Sequence, residues 1–375
     1  MYFDEVKKNF GFGCMRLPMI ENGKAVDIEQ IKKMVDTFIE QGFNYFDTAH
    51  GYLEGKSELA LKECLTSRHK REEYILTDKL TMTYFNKQED IRPFFESQLE
   101  ACGVEYFDFY LMHSQSKDTF EHFKKCRAYE TALELKKEGK IHHFGISFHD
   151  KAEVLEEILK EYPQIEVVQI QFNYLDYEDP AVQSRKCYEV CRRYNKPVIV
   201  MEPVKGGNLV NLPDDAAKIL DNLNGGSAAS YAVRFAASFE GVMMVLSGMS
   251  NMEQLMDNMS YMKDFKPLNN EEQDIIMKAV DAINSNIAIP CTGCSYCTEG
   301  CPMKIAIPKY FSLFNADLQE VKEKGWTPQG EYYDRLTHIF GKASDCVACG
   351  QCEKACPQHL SIIEDLKKVA EYFGK

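Results

Sequence analysis

Eight cysteines stand in two matching runs, Cys291, Cys294, Cys297 and Cys301 in "CTGCSYCTEGCP", and Cys346, Cys349, Cys352 and Cys356 in "CVACGQCEKACP". The C-x2-C-x2-C-x3-C-P spacing lets three thiolates turn inward around one iron–sulfur cube. The fourth, held beside a helix-breaking proline, points to a neighbouring cluster. Two [4Fe-4S] clusters with crossed ligand sets are expected: Cys291, Cys294, Cys297 and Cys356 for one, and Cys346, Cys349, Cys352 and Cys301 for the other. Structural zinc is the weaker reading, because its knuckles come as two separated C-x2-C pairs, not as three cysteines within seven residues. Cys14, Cys64, Cys102, Cys126, Cys187 and Cys191 share no ligand spacing beyond one i, i+4 pair and read as buried thiols.

A second set of reactive residues lies upstream. Asp47 ends the apolar run of "NYFD", Lys79 closes "YILTDK" and His113 closes "FDFYLMH". Three ionisable groups at three successive strand ends point into one shared mouth, with Tyr52 on the loop above. Such a set suits carbonyl reduction. The Lys79 cation would favour the phenolate of Tyr52 and make its hydroxyl a better acid, while Asp47 holds Lys79 charged. His113 would donate a hydrogen bond to the carbonyl oxygen and support its growing negative charge. Taken singly, each of these charges reads as an ordinary ion pair, and only the combination favours chemistry.

The elements that must position these residues alternate from about residue 8 to residue 265. A short apolar, β-rich run is followed each time by a longer amphipathic stretch. Candidate strands are residues 10–17, 44–47, 74–79, 107–113, 142–147, 167–173, 197–203 and 241–248. Between them lie helical stretches such as "DIEQIKKMVDTFIEQG", with Ile28, Ile31, Val35 and Phe38 at helical spacing and Gly42 as its stop. Eight βα units close most naturally into a (β/α)8 TIM barrel of the α/β class. The pattern breaks after "DAINSNIAIP". The expected division is a barrel over residues 1–286 and a small, mainly helical, ferredoxin-like domain over 287–375, with two helices between its cysteine runs.

On "FDTA" with Tyr52, the lysine of "YILTDK" and the histidine of "LMH", the sequence resembles the aldo/keto reductase family over about residues 10 to 262. That resemblance implies a catalytic tetrad of Asp47, Tyr52, Lys79 and His113. It implies nicotinamide carboxamide contacts from Ser147 in "KKEGKIHHFGIS" and Gln169 in "VVQIQFN". It also implies nucleotide contacts from Ser250, Gln254, Asp257 and Asn258 in "SGMSNMEQLMDN", a stretch that looks like the corresponding segment of potassium-channel β subunits. Lys205, Gly206 and Gly207 of "EPVKGG" are candidate pyrophosphate contacts, since glycines admit close backbone approach. Met201 stands where the family often stacks an aromatic ring on nicotinamide, and Phe148 replaces the asparagine common after Ser147. "SGMSNMEQLMDN" lacks the usual cation for the 2'-phosphate of NADPH. NADPH and NADH therefore both stay open, as does a flavin in the barrel mouth. His50, His142, His143 and His149 are expected near the same loops, with His50 lining the pocket.

The 375 residues carry a formal net charge of -14, so a phosphate backbone would meet mostly repulsion, and nucleic acid is not an expected partner. No apolar run is long enough to span a bilayer, and the start lacks the features of a secretory signal. A cytoplasmic, membrane-free protein is expected. [4Fe-4S] clusters pass single electrons, whereas nicotinamide hands over a hydride. The first reading is an NAD(P)H-dependent carbonyl reductase or alcohol dehydrogenase with clusters for electron transfer, acting on a small carbonyl or alcohol and open to an electron-transfer protein as partner. A second is a ferredoxin-coupled reductase of an activated C=C or C=O bond, using flavin or direct electron transfer. A third is a redox-sensing nucleotide-binding protein.

Overall fold

A computed structural model describes residues 2–374 except 21–22, 180–181, 224–225, 286, 290, 292, 294, 320–326 and 357–359. The chain forms two compact units. One spans Met1–Glu178, Val182–Lys205 and Leu223–Asp274, and the other gathers Asp179–Ala181, Gly206–Asn222 and Ile275–Lys375.

The strands are β1 (Phe10–Gly13), β2 (Met19–Ile20), β3 (Ala25–Val26), β4 (Tyr45–Asp47), β5 (Ile75–Leu80), β6 (Phe107–Gln115), β7 (Ile141–Phe148), β8 (Val167–Gln171), β9 (Val198–Met201) and β10 (Val242–Gly248). β1 and β4 to β10 close in the order β1-β10-β9-β8-β7-β6-β5-β4, and the antiparallel pair β2-β3 stands apart from the barrel. That pair had no signal in the alternating pattern. The first expected strand, residues 10–17, is cut short, because Cys14–Arg16 turn into a 3-10 helix directly after Gly13.

Apolar periodicity explains the outer layer. Helix Ile28–Glu40 is capped by Asp27, whose carboxylate accepts from the Gln30 N–H at 3.0 Å, and it buries Ile31, Met34, Val35 and Phe38 on one face. Gly42, at φ 85°, takes the left-handed conformation that lets the chain turn into β4. Inside the barrel, Tyr45, Ile75, Phe109, Leu111, Val167, Ile199, Met244 and Leu246 form a buried layer. Gly145 lies within this layer because a Cβ there would sit 2.6 Å from the Val167 carbonyl oxygen.

In the second unit, helices Ile307–Gln319, Pro328–Thr337 and Ile362–Phe373 bury Ile305, Ile307, Tyr310, Phe311, Ile362, Leu366 and Val369 together with Cys297 and Cys352. The two helices expected between the cysteine runs are thus present. Among the described residues no helix is long and apolar enough to cross a membrane.

Candidate active site and cluster cavity

Asp47 is the last residue of β4, and Lys79 lies next to the last in β5, so parallel pairing brings both to the C-terminal rim of the barrel. Both are buried, Asp47 at 3% exposure and Lys79 at 0%. The Lys79 ammonium donates to Asp47 Oδ1 at 2.6 Å and to the Thr48 carbonyl at 2.7 Å. Burial opposes the charge on Lys79, yet the negative charge of Asp47 and the hydrogen bond to it hold the ammonium above its ordinary range. Burial pushes Asp47 up as well, with Lys79 and Gln169 acting against that rise.

Tyr52 reaches this pair through a tight loop. Leu53 and Glu54 adopt left-handed φ values of 52° and 58°, Gly55 follows at 84°, and the ring is folded back so that Lys79 Nζ lies 4.9 Å from its centroid. The protein around the phenol raises its pKa, and the Lys79 cation pulls it down without cancelling that rise. The structure thus departs from a simple expectation of a more acidic tyrosine: desolvation outweighs the lysine.

His113 stands in β6 where regular pairing with β7 breaks between Met112 and Gln115, and Ser114 turns left-handed at φ 53°. Its ring centre lies 6.1 Å from that of Tyr52, and its Nδ1 is 2.7 Å from Thr81 Oγ1. Burial first, then the Lys79 charge, holds its pKa well below the usual imidazole range, so the ring is neutral at physiological pH. Thr81 was missed in the sequence, although its place two residues after Lys79 puts it at the same strand exit.

Ser147 and Gln169 are register partners on β7 and β8, both buried. Gln169 Nε2 donates to Asp47 Oδ2 at 3.3 Å, and Ser147 Oγ accepts from the Ser114 N–H at 2.8 Å. Met201 ends β9 beside Gln171. After β10, the Ser250 hydroxyl donates to the Arg16 carbonyl and the Gln254 side chain accepts from the Ser250 N–H. Asp257 accepts from Ser227, and the Asn258 amide is engaged at both ends, by Ser247 and by Tyr261. Lys205 is ion-paired at 2.5 Å with Asp176, itself buried and held by Gln171 and Asn173. Gly206 and Gly207 are both left-handed, at φ 65° and 106°.

Two other features were not legible in the sequence. Arg16 is exposed, lies within 3.4 Å of where a Cβ on Gly248 would stand, and has no carboxylate partner among the described residues. Its aliphatic stem packs beside Gly248 at the end of β10. Beneath Lys79, the buried Gln98 amide donates to Glu58 at 3.4 Å and to Asp78 at 3.1 Å, and it accepts from Tyr110 at 2.6 Å. Glu58, Asp78 and Cys102 place ligand-type atoms within 4.8 Å of one another, but that amide proton donor already serves both acids. Burial pushes Glu58 up to about 7 and Asp78 well above its ordinary range.

The histidines separate. His50 accepts or donates at 2.8 Å with Glu58 and packs edge-on to Tyr84 and Phe94. His149 follows β7 at the rim, and its pKa is lowered to about 4 by the protein around it and by Lys79. His142 and His143 do not join them. They begin β7, at its opposite end from Ser147, where His142 stacks on Tyr106 at 4.1 Å and His143 pairs with Glu5 at 2.6 Å.

In the second unit, Cys301 lines one cavity with Cys346, Cys349 and Cys352, and the walls between them are Met303, Ile305, Ile307, Val347, Ile363 and Leu366. The cavity is narrow and partly open to solvent. Four thiols on an apolar wall fit an iron–sulfur cube, and the Ile305 N–H already points at Cys301 Sγ at 3.4 Å. The two runs share a backbone design. Gly293 and Ala348 are left-handed at φ 70° and 53°, as are Ser295 and Gly350 at 67° and 73°. Such alternation curls successive N–H groups toward an anionic centre. Of the other set, Cys297 is buried and Cys291 and Cys356 are half-buried, whereas Cys294 lies outside the described residues. The six remaining cysteines are all buried.

Residues 9–281 match the model of the aldo/keto reductase family, and residues 290–361 match that of a 4Fe-4S dicluster domain. The chain is similar to aldo-keto reductase family 1 member C3 of Pongo abelii, at 29% identity over 36% of this chain and 46% of that one. It is similar to the NADH-specific methylglyoxal reductase of Escherichia coli (strain K12), at 28% identity over 47% and 57% of the two chains. It thus spans about half the length of these two curated relatives. Aldo-keto reductase AKR11C1 from Bacillus halodurans, in its holo form, superposes with a TM-score of 0.57 at 25% identity, over 72% of this chain and 91% of that one.

Proposed function

The chain belongs to the aldo/keto reductase family, and from that premise we propose that it is an oxidoreductase that reduces a small carbonyl, or oxidises the corresponding alcohol, with Tyr52 as proton donor. The observation that carries this reading is the buried Asp47–Lys79 pair, 2.6 Å apart, with its ammonium 4.9 Å from the Tyr52 ring centre. Bound NADPH or NADH would supply the hydride. Ser147 and Gln169, adjacent in register at the rim, fit a carboxamide, and the cation of Arg16 beside Gly248 fits a nucleotide phosphate. The similarity to a relative named as an NADH-specific methylglyoxal reductase supports a nicotinamide and a small carbonyl.

The chain's own residues divide the work. Tyr52 keeps its proton at neutral pH, and the protein around the ring raises its pKa further, while Lys79 makes the release of that proton easier than the surroundings alone would allow. Asp47 and the Thr48 carbonyl fix the ammonium. Thr81 Oγ1 lies 2.7 Å from Nδ1 of neutral His113; in the tautomer in which that hydroxyl donates to Nδ1, the ring proton resides on Nε2 and can bind a carbonyl oxygen. Residues 287–375 are read as a domain holding two [4Fe-4S] clusters that exchange electrons with a partner or with the barrel. The four-cysteine cavity supports the crossed assignment of Cys301 to the second run.

Tyr52→Phe tests the proposal. Reduction of small aldehydes and ketones should fall by about 10²–10⁴-fold while fluorescence titration still shows nucleotide binding. Unchanged turnover removes Tyr52 from its role. Cofactor released from anaerobically purified protein separates nicotinamide from the flavin of the ferredoxin-coupled reading.

A further inference from the structure

Two described segments beside the second cysteine run are basic, and of the acids that follow the run, Glu364 and Asp365 are paired with Lys367 and Lys368. Residues 302–309 and 335–344 contain Lys304, Lys309, Arg335 and Lys342 and no aspartate or glutamate, in a protein of net charge -14. The structure joins these two segments. Ile305 bridges Gly341, the Gly341 N–H donates to the Lys304 carbonyl at 3.2 Å, and Lys309 lies over the Phe340 ring at 5.2 Å. Arg335 is neutralised by Glu331, and the nearby Asp345 carboxylate is tied to the Lys342 N–H. Lys304, Lys309 and Lys342 are exposed and have no carboxylate partner among the described residues.

The same face is apolar. Ile339 is 75% exposed, Val347 59% and Met303 38%. Val347 and Met303 also line the four-cysteine cavity, and Cys349 of that cavity is exposed. Exposed apolar side chains rimmed by unpaired lysines mark a binding face, and here the face is the outer wall of a redox centre.

We propose that this face docks an acidic one-electron carrier protein, which passes electrons to a cluster held by Cys301, Cys346, Cys349 and Cys352. The inference rests on the cluster reading above. Charge selects the partner: an acidic surface is attracted to the three exposed lysines, so steering favours this approach. Ile339, Val347 and Met303 then exclude water from a small contact of the kind that transient electron-transfer pairs use. In the transfer, the carrier's reduced centre loses one electron and the cluster gains it; no bond forms or breaks.

The test uses the full chain, purified without oxygen and assayed for iron and sulfide, mixed in a stopped-flow instrument with reduced flavodoxin. This carrier is acidic, and its flavin is spectrally distinct from a cluster. The second-order rate should fall about tenfold as NaCl rises from about 50 mM to about 500 mM. Lys304→Glu combined with Lys342→Glu should lower the low-salt rate about tenfold, and Ile339→Ser should lower it several-fold. Reduction by dithionite and iron content should be unchanged in both variants. A rate indifferent to salt and to these substitutions, with clusters intact, overturns the proposal. So does flotation of the chain with phosphatidylserine vesicles, or a dimer abolished by Ile339→Ser, when the flavodoxin rate is unaltered. Absence of iron and sulfide overturns the cluster reading itself.

Discussion

Beneath the rim, one amide governs two acids. Gln98 donates to both Glu58 and Asp78, whose burial favours their protonated forms, and Asp78 precedes Lys79 in the chain. The sign of the resulting pH dependence follows from linkage. Glu58 has a folded pKa of about 7 against an ordinary value of 4.5, so its contribution to stability is fully present below about 4.5 and is lost as pH rises through about 7. Glu58→Gln keeps the shape and an amide donor for Asp78 while removing that titration. Urea unfolding between about pH 5 and about pH 8 should show a flatter pH dependence for the variant, and higher stability than wild type at the alkaline end. Parallel curves for the two proteins would rule the shared site out. This cluster was not legible in the sequence, because its members come from three elements separated by 20 and 40 residues and no periodicity links them. Asp47, Lys79 and His113 were legible for the opposite reason: each is a charge or imidazole at the end of an apolar run.

Among elements, the barrel strands declared themselves by apolar content, whereas their ends did not. β1 stops at Gly13, and the next residues turn outward as a 3-10 helix that carries Arg16 to the rim, so a run that reads as one strand hides a loop. The same blur misplaced His142 and His143, which open β7 and belong to the base of the barrel. The cysteine runs were read more fully, since their spacing fixes a local backbone, and the matching left-handed residues of both runs follow from it. A close approach between β7 and β8 gives this scale its prediction. In Gly145→Ala the added methyl meets the Val167 carbonyl at 2.6 Å and Leu111 Cδ2 at 2.7 Å, so strands must shift. The variant should be destabilised by about 1–3 kcal/mol in thermal or urea unfolding. Wild-type stability would mean that the barrel relaxes at no cost.

Across the whole molecule, a match to the aldo/keto reductase family and a match to a 4Fe-4S dicluster domain share one chain, and each unit keeps its own core. The acidic total discourages polyanions, while Lys304, Lys309 and Lys342 beside the second cysteine run are exposed and without a carboxylate partner among the described residues. A sulfur edge open to a protein donor is equally open to dissolved gas. Cys349 is exposed and Val347, which lines the same cavity, is 59% exposed, so dissolved dioxygen should reach a cluster held there. Timed exposure to dioxygen should release iron, and Val347→Phe should slow that release; an unchanged rate would mean that this wall is not the route. The wall that lets electrons in would then also set how long the chain survives in air.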